Sequence, residues 1–121
     1  MDESILTTTK KLLMLGEDDT SFETDAIVHI NTFLRRLNQL GVGSRTFRVR
    51  TKADTYADFL GPDQETFDQV KDYIYIRCKL IFDPPTNGSQ VKALEDAYHE
   101  LEWLLCADAE SLLLKEELSL T

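Results

Sequence analysis

The apolar positions of this chain recur mostly every three or four residues, the period of a helix with one buried face. Over residues 3–15, Ile5, Leu6, Leu12 and Leu13 stand about two turns apart, and Gly16 is placed to end the helix in a left-handed cap. Thr7-Thr8-Thr9 weakens this helix, because β-branched residues lose side-chain freedom there, so packing must hold it. An acidic loop, Glu17-Asp18-Asp19, leads into a second helix over 21–40. Thr20 and Glu23 have the spacing of a capping box, and Ile27, Ile30, Phe33, Leu34, Leu37 and Leu40 share one face. Gly41-Val42-Gly43 ends that helix. A third helix over 63–82 turns Phe67, Val70, Tyr73, Ile74, Cys78 and Ile81 toward the core. Tyr75, Ile76, Leu80 and Phe82 give it a second apolar face, which predicts a central place in the bundle or cover by another subunit. Pro84-Pro85 stops it. A fourth helix over 88–107, capped by Asn87 or Ser89, carries Val91, Leu94, Tyr98, Leu101 and Leu105.

Two stretches break the pattern. In residues 44–60, Phe47, Val49 and Thr51 alternate with Arg48, Arg50 and Lys52. That period of two predicts a short strand or extended arm, apolar on one side and basic on the other. From Asp108 onward, Leu112, Leu113, Leu114, Leu118 and Leu120 lie among acids and either extend the last helix or form a separate arm. The expected fold is mostly α: a four-helix bundle-like domain over 1–107 with a short extended β-like arm, 44–60, between helices 2 and 3, then an acidic, leucine-rich tail at 108–121. A chain of 121 residues can bury one such core without a disulfide or metal.

Charge sharpens the picture. The net charge is −9, but residues 1–60 hold 8 Lys+Arg against 9 Asp+Glu, and residues 61–121 hold 5 against 13. An acidic surface repels phosphates and anionic lipid, and the acidic half fits solubility, contact with a basic protein surface, or distance from DNA. Within it, Arg45, Arg48, Arg50 and Lys52 form a cluster of opposite sign. Such a cluster fits a solvated edge strand, contact with an acidic neighbouring subunit, or contact with DNA. Met1-Asp2-Glu3 lacks the form of a signal peptide, and no apolar run approaches the roughly 20 residues that span a bilayer, so a soluble cytoplasmic protein is expected. Cys78 and Cys106 are expected to be buried free thiols.

Candidate chemistry is sparse. His29 and His99 follow Asp25 and Glu95 by four residues, the spacing of surface helical pairs. His99-Glu100-Leu101-Glu102-Trp103 is not a zinc-binding HExxH, Gly41-Val42-Gly43 is a helix stop rather than a phosphate cradle, and no nucleophile elbow is present. No catalytic residue, cofactor or metal is expected.

Several segments nevertheless carry a resemblance. DAIVHINTFLRRLNQLGVG at Asp25 to Gly43, DFLG at Asp58 to Gly61, VKDYIYIRCKLIFDPP at Val70 to Pro85, and Glu100-Leu101-Glu102-Trp103 follow one another in an order similar to phage head–tail connector proteins. The resemblance implies a structural virion subunit that forms a homo-oligomeric ring beneath the portal and joins the DNA-filled head to the tail. Its implied partners are copies of itself, the portal protein and a tail-side stopper or tail-completion protein, with DNA only passing through the lumen and no membrane. The implied locations are the head–tail junction of the virion and, during assembly, the host cytoplasm. A lone extended segment cannot satisfy its own backbone, so Arg45, Phe47, Arg48, Val49, Arg50, Lys52 and Tyr56 are the expected oligomer or portal interface. The rival expectations are an acidic helical regulator that mimics DNA, and a small enzyme that would require a pocket with perturbed carboxylates.

Overall fold

The structure is a computed structural model that describes residues 3–14, 21–61 and 65–120. The expected Gly16 cap, the acidic loop at 17–19, Thr20 of the capping box, and Pro62 lie outside these residues. Among the described residues there are five helices and no sheet: α1 (Ile5–Leu12), α2 (Glu23–Gln39), α3 (Tyr56–Leu60), α4 (Phe67–Phe82) and α5 (Gly88–Leu120). The mostly α expectation holds.

α4 touches α1, α2 and α5, which explains its two apolar faces. Val70, Tyr73, Ile74 and Cys78 are fully enclosed, and they meet Ile5, Ile30, Leu34, Leu37 and Leu105 in one core. Ile81, expected inside, is exposed near the end of α4. α4 gives way at Asp83 before Pro84, and Asn87 opens α5 by accepting the Ser89 backbone N–H through its side chain at 2.8 Å. α2 begins at Glu23 with no side-chain cap; the Glu23 carboxylate instead meets the buried Lys10 ammonium at 3.1 Å and ties α2 to α1.

α5 runs through residues 107 and 108 without a break, so the leucine-rich stretch continues the helix. At Ala109 the helix still lies against the bundle, since a Cβ added at Gly41 would stand 3.0 Å from the Ala109 Cβ, and residues 110–119 are exposed. α3 occupies the end of the expected arm. Thr55 and Asp58 cap it reciprocally, each side chain bonding the other's backbone N–H at 3.2 Å.

The rest of the arm is not a strand, because its backbone finds partners by other means. The Asn31 carboxamide donates to the Val49 carbonyl at 2.9 Å and accepts the Val49 N–H at 2.8 Å, taking both bonds a neighbouring strand would make. Asp54 accepts from Arg50 and Thr51 N–H at 2.7 and 3.0 Å. At one end the Ser44 N–H reaches the Phe59 carbonyl. At the other, Ile5 N–H donates to Asp54 and Tyr56 N–H to Glu3, a one-rung antiparallel bridge between Ser4 and Thr55. Gly43, at φ +78°, sits where any side chain would enter the Phe59 ring.

Asn31→Ala should therefore lower stability by about 2 kcal/mol, roughly one per hydrogen bond lost at Val49. The check is the urea midpoint; an unchanged midpoint would show that Asn31 does not hold the segment. Ile74, fully buried, and Leu101, half-buried, provide a contrast. Ile74→Ala should cost roughly 2–5 kcal/mol and Leu101→Ala clearly less, read from the same denaturation curves.

Candidate interaction surfaces

Glu102 of α5 is the one buried carboxylate among the described residues. It accepts the Tyr73 hydroxyl at 2.6 Å and the Arg36 guanidinium at 3.3 and 3.5 Å, and the Arg77 guanidinium lies 3.6 Å away. Arg77 also donates to the Tyr73 hydroxyl at 2.8 Å and is held between the Phe33 and Tyr98 rings, 4.6 and 4.5 Å from their centres. Burial alone would raise the Glu102 pKa, but the bonds from Tyr73 and Arg36 and the charges of Arg36 and Arg77 hold it below the ordinary carboxylate value. Burial, then the bond to Glu102, pushes the Tyr73 hydroxyl well above its own. This cluster joins α2, α4 and α5.

His99 reaches this cluster rather than Glu95: its Nδ1 lies 3.8 Å from Glu102. His29 packs between the Phe33 and Phe82 rings, at 6.3 and 5.5 Å between centres, in place of the expected pair with Asp25. Cys78 is buried, which pushes its thiol up to about 12. Cys106 is only half-buried, with its Sγ 3.8 Å from Glu110. Among the described residues no three His, Cys, Asp or Glu side chains gather as a metal site, and no helix is long and apolar enough to cross a membrane.

The structure divides the expected interface residues into two groups. Val49 and Tyr56 belong to the core at 1% exposure each, and Phe47 is half-buried against Phe59 with ring centres 5.7 Å apart. Tyr56 also packs edge-on to Phe67 at 5.3 Å. The apolar surface of Val49 and Tyr56 is covered by the chain itself, so the arm is part of the fold, while Phe47 keeps part of its surface open. Arg45, Arg48, Arg50 and Lys52 are all exposed and form a basic edge.

One concavity contains the Glu102 cluster and another lies between α4 and α5. The first, about 610 Å³, is lined by Arg35, Arg36, Arg77, Tyr98 and His99 with Glu102 among them. The other, about 560 Å³, is an apolar groove between α4 and α5, formed by Tyr75, Ile76, Leu94, Ala97, Leu101 and Leu104 with Asp72 and Glu100 at its rim. The periodicity of α4 and α5 showed their apolar residues, but Glu102 and its two arginines were missed. The available signal was a lone acid inside the stripe Tyr98, Leu101, Leu105.

In comparisons with known proteins, a family model described as phage connector protein matches residues 5–111. No curated protein and no solved structure matches the chain.

The match takes in all the residues of the Glu102 cluster, whose electrostatics set a pH dependence. The Glu102, Glu3 and Asp54 carboxyls all lie below their ordinary value, Glu3 first through its bond from Lys71 and Asp54 through the two backbone N–H bonds. A carboxyl lowered in the folded state adds stability that is complete above its unfolded pKa, roughly 4, and is lost as pH falls through the folded value. The melting temperature should fall steadily on acidification below about pH 4. Glu102→Gln should cost about 2 kcal/mol at pH 7 and flatten that acid limb, leaving the slope due to Glu3 and Asp54. A variant with the wild-type acid limb would remove Glu102 as its source.

Proposed function

Because this chain belongs to the phage connector protein family, we propose that it is a ring-forming adaptor beneath the portal, joining the DNA-filled head to the tail. The observation that carries this is the family match, which spans residues 5–111 and so covers α1 to α4 and most of α5. The family is one of structural virion components, and membership implies contact with other virion proteins. On the finer reading, the partners are copies of this chain, the portal protein and a tail-side stopper or completion protein, and DNA passes through the lumen without being read. Its place is the head–tail junction, reached from the host cytoplasm during assembly.

What the chain does in this role is bind and position rather than catalyse. A rigid bundle fastened at Glu102 presents charged surface, and the exposed residues of the basic edge, Arg45, Arg48, Arg50 and Lys52, are the proposed contact with an acidic neighbour. The acidic excess elsewhere repels the phosphates of passing DNA. A DNA-mimic regulator fits less well, since four cations interrupt the acidic surface where such a mimic would need phosphate-like charge.

Deletion of the gene should leave heads that package DNA but carry no tails, and supply of the chain in trans should restore joining. Electron microscopy of the lysate and plaque counts check this. Infectious tailed particles at wild-type numbers from the deletion would overturn the connector function.

A further inference from the structure

α5 is 33 residues long, about 50 Å at 1.5 Å per residue. Past Ala109 it has left the bundle, and every residue from Glu110 to Ser119 is exposed. That free end shows Leu112, Leu113, Leu114 and Leu118 at 50–72% exposure. Leu112 falls seven residues after Leu105 and eleven after Leu101, so the stripe that faces the bundle continues with no bundle beneath it. Interleaved with the leucines are Asp108, Glu110, Glu116 and Glu117 against one cation, Lys115. A helical end of this length is marginal in water by itself and gains its stability from packing.

The same chain carries the opposite surface elsewhere. Among the described residues, none of Arg45, Arg48, Arg50 and Lys52 is in an ion pair, and neither are Asp108, Glu116 and Glu117. Two complementary, unpaired surfaces on one chain do not meet within it. We propose that the free end of α5 docks on the basic edge of a second copy, with its acids against Arg45, Arg48, Arg50 and Lys52. The inference rests on the ring proposed above and names the contact that would build it.

The geometry of such a pair has a consequence. The helix end and the basic edge are different patches, so the contact is heterologous: each copy offers one patch and receives the other. Where two copies do not exchange the patches reciprocally, each keeps one patch open. The contact then propagates, and closes as a ring if the rotation per copy divides a full turn. Charge pairing steers the approach and weakens with salt.

The test uses the full chain and nuclear magnetic resonance. Labelled protein is titrated with unlabelled protein to about 1 mM at low salt, a range that reads millimolar-strength contacts. Concentration-dependent shifts should appear at residues 45–52 and 110–119 together and disappear in high salt. Arg48→Glu with Arg50→Glu and Lys52→Glu, in one chain, should weaken self-association at least tenfold. Glu110→Lys with Glu116→Lys and Glu117→Lys should do the same. Mixing the two variants, each first checked for wild-type helical circular dichroism, should restore association, through contacts of native polarity and of reversed polarity between the two chains. No shifts at the highest concentration, shifts confined to another face such as the α4–α5 groove, or no recovery in the mixture overturns the docking. If docking fails while the gene deletion still gives full heads without tails, the connector function stands and only this contact falls. If docking holds while the deletion yields normal particles, the opposite is true.

Discussion

One buried carboxylate sets the geometry on which the rest of this molecule depends. Taking a charge out of water costs several kcal/mol unless partners replace the water, and Glu102 has them on two other helices. Arg36 comes from α2, and Tyr73 and Arg77 come from α4. Shifting α5 by one turn would leave the carboxylate unpaired and Arg77 displaced from between its two rings. The apolar stripe alone would tolerate such a slip better, because leucines one turn apart are nearly equivalent as packing groups. The polar cluster therefore fixes the register of α5, and with it the point near Ala109 where that helix leaves the bundle.

The segment between α2 and α3 shows a second division of labour. Its backbone is held by Asn31, Asp54 and the bridge to residues 3–5, and its apolar side chains are absorbed by the core. Nothing about its basic side chains is needed for this. Arg45, Arg48, Arg50 and Lys52 stand on that scaffold exposed and outside any ion pair among the described residues, although the charge of Arg50 acts on nearby Asp54. A loop anchored in this way can present charge at a defined spacing, where a flexible one would lose rotational and chain entropy on binding.

How far the fold was legible follows from the strength of each local signal. α2, α4 and the first part of α5 announce themselves through sustained apolar periodicity, and the two apolar faces of α4 called for a central place or for cover by another subunit. α3 was hidden because five residues are too few to show a period, although Thr55 and Asp58 carry a capping signature. Of the two expectations for the segment between α2 and α3, short strand or extended arm, no strand formed, because alternation of Phe47, Val49 and Thr51 with cations records only which side is buried. A side-chain amide on another helix, distant in sequence, supplied the pairing, and no local pattern announces that. Glu102 was hidden for the same reason: its partners lie 66 and 29 residues away. The basic edge is visible as charge, but the burial of Val49 and Tyr56 beside it is not, because the sequence does not show the Asn31 partner that lets this backbone pack on its own core.

On the docking proposed for α5, net charge and local charge act at different ranges. At −9 each, two copies repel, but that repulsion is screened beyond roughly 8 Å at physiological ionic strength. Paired side chains at contact distance are screened far less. Copies that meet with acids facing acids gain nothing to offset the repulsion, whereas copies that meet helix end to basic edge replace it with attraction. Orientation is thus selected by charge. A surface of this kind disfavours random aggregation by the leucines while permitting one directional contact. It would be most effective where a partner already holds several copies close together, because a high local concentration overcomes the residual repulsion without any change in the chain itself.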